Sequence, residues 1–459
     1  MEPKDYETLR DELLELLQNK EIRQFREIIV DMNEYDVATF ISELPKKRLA
    51  MVFRLLPKNM SADVFAHLDV EEQQLIIECI TDKELGEIIE ELYLDDAVDM
   101  LEELPANVVK RVMRTATRET RTLINQYLEY PDNSAGSIMT AEYVDLKKYM
   151  NVREAFARIR RIGEDKETIY NCFVVSSDRK LEGVVTVKDM LLSDDESIID
   201  DIMDRNVIYA TTTDDREQVS QLFSDYDLLA APVVDKEGRL VGIVTVDDII
   251  DVMQEELTKD FEIMAGIMPS DKPYSKAGVI DIWKGRIPWL MLLMLSATFT
   301  SMIINKYENA LSANVVLTGF IPMLMGTGGN SGSQSSVAVI RSLSLGDIEP
   351  KNILNVIWKE LRVALLSGVS LATVNFVKMY FVDSLLLNNP GVTVWVALIV
   401  SLTLVFVIVF AKVLGGALPL LAEKVGIDPA VMASPIITTI TDAASLLIYF
   451  SIAVLVLGI

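Results

Sequence analysis

Hydrophobic residues are spaced in three different ways along the 459 residues of this chain. In residues 1–130 they recur at helical spacing in short amphipathic runs, with a loose repeat: Asp36-Val-Ala-Thr-Phe-Ile-Ser-Glu-Leu-Pro45 is echoed by Asp63-Val-Phe-Ala-His-Leu68 and by Asp96-Ala-Val-Asp-Met-Leu-Glu-Glu-Leu-Pro105. A repeat of about 30 residues built on helix pairs predicts a small all-α superhelix. Residues 131–253 switch to strand-like runs, Cys172-Phe-Val-Val175 and Ala231-Pro-Val-Val234, each followed by a second apolar run and a helix. Residues 254–285 form a connecting helix and linker, continuing an acidic amphipathic run that starts at Asp247 and carries Asp248, Asp251 and Glu255 along one stripe with Glu256 beside it. From residue 286 to 459 the apolar blocks reach the roughly 20 residues that a helix needs to cross a bilayer. Five spans are expected: Ile287 to Ile304, Val315 to Ile340 with a polar interruption, Val363 to Val382, Val392 to Leu414, and Ala430 to Leu457. Helices of a soluble core would be shorter and amphipathic.

Charge separates the same two halves. Residues 1–285 hold 34 Lys/Arg against 61 Asp/Glu, a balance of -27, while residues 286–459 hold 9 against 8. Such an acidic excess repels nucleic acid phosphates and attracts cations, so divalent metal ions are the expected partners and nucleic acid is not. Cys79, Cys172 and the single His67 are too few for a disulfide framework, a thiolate and imidazole metal site, or a His-based nucleophile, and no catalytic constellation points to an enzyme. The charged N-terminus is not a secretory signal. Lys272, Lys276, Lys284, Arg286, Arg341, Lys351, Lys359, Arg362, Lys412 and Lys424 flank one side of the spans, and only Lys306 the other. This places the acidic half in the cytosol of a multi-pass cell-membrane protein with its C-terminus outside, and lets Lys378 snorkel near an outer end.

Two departures from plain hydropathy carry the candidate chemistry. In the fifth span Asp442 stands near mid-membrane with no cation in the span to neutralise it, a costly arrangement unless it faces water or a cation. Ser434, Thr438, Thr441, Asp442 and Ser445 share one helical face that reads as a pore lining; a protonated Asp442 hydrogen-bonded within the bundle is the alternative. In the second span, Pro322-Met-Leu-Met-Gly-Thr-Gly-Gly-Asn330-Ser-Gly-Ser-Gln334 offers Gly328 and Gly329 for close helix approach or carbonyl exposure, and Asn330 and Gln334 as oxygen ligands. One carboxylate does not match a 2+ ion, so two-fold symmetry placing two copies of Asp442 at an axis predicts a homodimer. Carboxylate, amide and hydroxyl oxygens select hard cations, and an ion that keeps its water fits magnesium.

In the cytosolic half Ser137-Ile-Met-Thr140 recurs as Asp201-Ile-Met-Asp204, and Leu181-Glu-Gly-Val-Val-Thr-Val-Lys-Asp189 as Leu240-Val-Gly-Ile-Val-Thr-Val-Asp-Asp248. The duplication resembles a tandem pair of cystathionine-beta-synthase (CBS) domains. That resemblance makes Thr186, Asp189, Thr245 and Asp248 candidates for ATP binding, with a purely structural pair as the alternative. Asp95, Asp96 and Asp99 form an acidic patch on the superhelix, and a solvated helix face is the plain reading of such a cluster.

Taken with Gly326 to Gln334, Asp428-Pro-Ala430 and Thr441-Asp-Ala-Ala-Ser-Leu-Leu-Ile-Tyr-Phe-Ser451, the chain resembles the MgtE family of magnesium channels over nearly its whole length. The resemblance implies a multidomain membrane protein: an all-α superhelical N-terminal domain, α/β tandem CBS domains and an all-α five-helix transmembrane domain. It also implies a homodimer with a central pathway for Mg2+ that closes when intracellular magnesium is high. Residue by residue, it makes Asp442 the pore ligand and puts Asp428 near the inner mouth. Asp95 and Asp99 would face Asp248, Asp251 and Glu256 across bound ions, while Asp215, Glu217, Ser224, Asp227 and Asp260 match further magnesium positions. Lys259 stands where the pattern favours an acid, which weakens the expectation at Asp260. Two other readings stay open: a CBS-gated secondary transporter of another ion, and a nucleotide-sensing membrane signalling protein.

Overall fold

The computed structural model describes residues 6–270, 274–387 and 391–457, with backbone alone at Asn59, Asn309, Ala310, Ala313 and Ser434. Lys272 lies outside the described residues. The chain divides into two compact units, Met1–Met253 and Gln254–Ile459.

The first unit opens with ten short helices from Tyr6–Asn19 to Arg118–Tyr127. Several begin after a turn residue whose side chain accepts from a free backbone amide, Asn33, Thr81 and Thr117 among them; Thr81 accepts from Glu84 N while the Glu84 carboxylate accepts from Thr81 N, a reciprocal cap. The eighth, α1 (Leu94–Glu103), buries Leu94, Ala97, Val98, Met100 and Leu101 and leaves its acids on the other face. Two three-stranded sheets follow. β1 (Val144–Leu146), β2 (Asn171–Val175) and β3 (Leu181–Thr186) lie in that order, with β1 parallel and β3 antiparallel to β2. β4 (Ala210–Thr211), β5 (Ala230–Val234) and β6 (Leu240–Thr245) repeat the arrangement. Each sheet ends in a helix, α2 (Val187–Leu192) after β3. α3 (Arg216–Tyr226) connects β4 to β5, and α4 (Val246–Met264) follows β6.

The two Ile-Met motifs are exchanged between the copies. Thr140 bridges Ile243 in the second copy and Asp204 bridges Val184 in the first. The exchange explains the glycine in each repeated segment: a Cβ at Gly183 would meet Met203 Sδ at 2.6 Å, and one at Gly242 would meet Met139 Sδ at 2.8 Å. One hydrophobic core runs from Leu13 through the superhelix into Val219, Val233, Val244 and Ile249 of the second copy.

The second unit is built on five long helices: α5 (Val279–Lys306), α6 (Ile321–Ser344), α7 (Ile353–Lys378), α8 (Val394–Lys424) and α9 (Ser434–Leu457). Among the described residues four helical stretches are long and apolar enough to cross a bilayer: Val279–Lys306, Pro350–Leu386, Val394–Lys424 and Pro429–Leu457. α6 has the length, 24 residues, or about 36 Å at 1.5 Å per residue, but its glycine, serine, asparagine and glutamine content keeps it less apolar. Its small residues serve packing. Gly328 sits against Ser445 and Val407, Gly329 against Thr438, and Gly332 against Ile437 and the Ala411 carbonyl, so α6 nests between α8 and α9. Tyr449 and Phe450 of α9 close the core, with Tyr449 Oη donating to the Leu317 carbonyl at 2.9 Å and Phe450 stacked on Tyr307 at 4.9 Å. α5 buries none of its residues. The third helix starts at Ile353, ten residues before the expected span, and continues past Lys378 as a π-helix, Met379–Leu386, where Lys378 pairs with Asp383 at 2.8 Å.

Candidate metal and permeation sites

In the first unit the acids of α1 meet acids from the rest of the unit. Asp95 and Asp96 occupy the first turn of α1, where the helix dipole favours negative charge, and Asp248 occupies the first turn of α4. Burial pushes Asp95 well above the usual carboxylate range, with Asp96, Asp248 and Glu167 adding repulsion. Burial, then Asp248, raises Asp96 to about 6. Asp99 keeps an accessible edge, yet burial and Asp96 push it to about 7. Asp248 rises to about 6 through burial, although Thr245 Oγ1 donates to its carboxylate at 2.6 Å. Glu167 rises to about 7 through burial and then Asp247 and Asp248. Oδ1 of Asp95 and Oε2 of Glu167 are buried without a hydrogen-bond partner. Unpaired buried carboxylate oxygens of this kind are the groups a cation would satisfy. Among the described residues, no three His, Cys, Asp or Glu side chains converge tightly enough to hold a bare metal ion.

The structure thus brings together Asp95, Asp99 and Asp248, and adds Glu167, Asp247 and Asp96. Asp251 is exposed one turn along α4 and adds to the repulsion on Asp248, whereas Glu256 belongs to the second unit, where Lys259 Nζ donates to it at 3.0 Å. Glu167 stands in a loop outside any periodic stripe, so no pattern in the sequence marks it. Asp215 and Glu217 lie at the N-terminal end of α3, where Asp215 caps the helix by accepting from Glu217 N at 2.9 Å. Ser224 and Asp227 lie at its C-terminal end, Asp227 in the left-handed region at φ +50°. The two ends are roughly 15 Å apart by helical rise, so one ion does not contact both. Thr186 and Asp189 form a reciprocal cap on α2, and Thr245 holds Asp248 in the matching place in the second copy.

In the second unit Asp260 and Asp428 come together. Asp428 caps a short turn, accepting from Ala430 N at 2.8 Å. Asp260 accepts from Ser344 Oγ at 3.4 Å and is raised by burial and then by Asp428 and Glu256, while the Lys259 charge opposes the rise.

The expected pore face of α9 divides. Thr441 is fully buried and donates to the Ile437 carbonyl at 2.8 Å, and Ser445 is buried against Gly328. Asp442 is half-buried, with no hydrogen-bond or ion-pair partner among the described residues. On α6, Gly328 and Gly329 face α8 and α9, whereas Asn330 and Gln334 face another way. They line a cavity of about 530 Å3 with Thr327 and Ser331 of α6, Ser367 and Ser370 of α7, and Lys412 of α8. Lys412 departs from expectation: it is no cytosolic flank but lies inside the bundle at 6% exposure, twelve residues before the end of α8. Hydropathy cannot separate these cases, because a lysine near the end of an apolar run looks the same in either.

Comparisons with known proteins cover both units. Residues 321–452 match the family described as divalent cation transporter (MgtE), residues 32–133 the MgtE intracellular N domain, and residues 135–195 and 199–255 the CBS domain. Magnesium transporter MgtE of Thermus thermophilus is 37% identical over 455 residues, covering 98% of this chain and 99% of that protein. The Bacillus subtilis protein of the same name is 31% identical, covering 98% and 97%. The soluble part of a magnesium transporter, a solved crystal structure, aligns with TM-score 0.53 and 33% identity over 55% of this chain and 99% of that one. The cytosolic domain of the Mg2+ channel MgtE in complex with ATP aligns with TM-score 0.50 and 38% identity over 53% and 99%.

Proposed function

Since the chain belongs to the MgtE family of magnesium transporters, we propose that it moves hydrated Mg2+ across the plasma membrane into the cytosol as a homodimer, and that its cytosolic acids sense the ion and close the path when it is abundant. The single observation that carries the permeation reading is Asp442: a carboxylate in a membrane helix, half-buried and with no hydrogen-bond or ion-pair partner among the described residues. A symmetry-related copy across a two-fold axis supplies the second negative charge that a divalent guest needs. Water between ion and ligands fits a site with few protein oxygens, because Mg2+ gives up its hydration shell reluctantly.

Sensing is supported by the acidic cluster. Carboxylates that repel one another at low magnesium hold the unit loosely, and ions bound between them favour the compact form; the equilibrium moves only as far as that form binds more tightly. The buried free oxygens of Asp95 and Glu167 fit the bound state. Asp260 with Asp428 is a second candidate, weakened by Lys259. Asp215 with Glu217, and Ser224 with Asp227, are candidates for separate, exposed sites. Nucleotide binding by Thr186, Asp189, Thr245 and Asp248 is supported by the ATP complex of the similar cytosolic domain. The excess of lysine and arginine on one flank of the spans supports a cytosolic N-terminal unit and an outer C-terminus.

The test is flux through purified protein in liposomes. Wild type is expected to admit Mg2+ with a rate that falls as magnesium rises on the cytosolic side, and Asp442→Asn to lose at least about tenfold in flux, equivalent to 1.4 kcal/mol. Unchanged flux and selectivity in that variant would falsify the assignment of Asp442.

A further inference from the structure

We propose that Lys412 determines ion specificity: its ammonium is a built-in cation that keeps the oxygen-lined cavity between α6, α7 and α8 from accepting a permeant one. The inference rests on the reading of this chain as a Mg2+ transporter.

A lysine at 6% exposure inside a helix bundle persists as a charged group only when it is paired. Its partner is reached through a hydroxyl. Lys412 Nζ donates to Ser335 Oγ at 3.4 Å, and Ser335 Oγ donates to Glu360 Oε2 at 2.6 Å. The second distance is that of a charge-assisted O–H···O⁻ bond. Both bonds run from donor to acceptor in one direction, from α8 through α6 to α7, as an ammonium and a carboxylate with a hydroxyl between them require. A second feature is built around the same acid. At Gly416 a Cβ would meet Glu360 Cγ at 2.9 Å, so α8 accommodates the acid beside it because residue 416 has no side chain.

Without its ammonium the cavity would present the hydroxyls of Thr327, Ser331, Ser367 and Ser370 and the amide oxygens of Asn330 and Gln334, with the Glu360 carboxylate one hydrogen bond beyond at Ser335, a hard-oxygen set suited to a cation. The fixed positive charge opposes any second cation at short range in a medium of low polarisability. The tethered ammonium thus compensates Glu360, whereas Asp442 has no ion-pair partner among the described residues, and the specificity of the path follows from Asp442.

The experiment compares wild type, Lys412→Gln, Lys412→Arg and the double variant Lys412→Gln with Glu360→Gln, all as full-length protein in liposomes. Glutamine retains a donor for Ser335 and so limits the loss of folding that removing a buried partner causes. Lys412→Gln is expected to raise Na+ and Ca2+ flux relative to Mg2+ by at least tenfold, Lys412→Arg to keep the wild-type ratio, and the double variant to return towards it. An unchanged ratio in Lys412→Gln overturns the inference, as does an equal change in Lys412→Arg, which would make shape rather than charge the cause. Calorimetric titration of the same proteins in detergent with Ca2+ reads the site without flux: Lys412→Gln gains a binding event that wild type and the double variant lack, and no gain overturns the proposal. Should wild type move no Mg2+ at all, the transport reading fails by itself while the titration still decides the role of Lys412.

Discussion

Carboxylates behave differently here according to what surrounds them. Asp99 and Glu167 are raised to about 7, and Asp96 and Asp248 to about 6, from ordinary values of 3.8 for Asp and 4.5 for Glu. A folded-state pKa above the unfolded one means that the folded unit holds protons the unfolded chain releases. Their contribution is therefore complete below about pH 4 and is lost as pH rises through about 7. Residues 1–253, which possess their own core, are expected in chelator to melt roughly 5 °C or more lower at pH 8 than at pH 5.5. Added Mg2+ should recover much of the difference at pH 8. Thermal circular dichroism decides it, and a melting point that is flat or rises over this range would remove the acidic cluster from the account. At this scale the sequence is legible where a residue contradicts its surroundings. Asp442 stands out in an apolar run, but Glu167 is one acid among many until the fold sets it beside Asp247 and Asp248.

Helix contacts in the membrane unit depend on glycines whose importance differs by position. At Gly415 a Cβ would press on the Gly332 carbonyl and on Ser335 Cβ, both on α6, whereas at Gly326 it would meet nothing within 4 Å. Gly415→Ala is expected to destabilise the α6 and α8 crossing by about 1–3 kcal/mol, and Gly326→Ala to change stability by less than about 0.5 kcal/mol. Thermal unfolding in detergent would show the contrast, and equal effects would contradict this packing. The glycine-rich run is visible in sequence, but not which glycine touches what. Nor is the role of α6 visible: its hydropathy is diluted because it is the helix around which α8 and α9 close, and a helix shielded by neighbours need not be apolar all round.

For the whole molecule, the acidic excess of the first 285 residues becomes a sensing device only if ions draw the acids together. Replacing Asp95, Asp248 and Asp251 together with Asn is expected to shift the cytosolic magnesium needed for half-inhibition of flux upward by about tenfold or more, since removing differential affinity removes the population shift. Liposome flux at graded internal Mg2+ measures this, and inhibition at the wild-type concentration would argue that closure runs through other groups.

By itself the sequence determined the elements: apolar blocks of bilayer length, a duplicated strand, strand and helix unit, and short amphipathic helices. These are local periodicities, and the nearest few residues impose them. Tertiary structure decided which charges and small residues meet. It exchanged the Ile-Met motifs between the copies and gathered Glu167 with Asp95 and Asp248. It also turned Lys412 from an apparent flank into a buried ammonium tied through Ser335 to Glu360. Such pairings join positions far apart in the chain, and no local period encodes them.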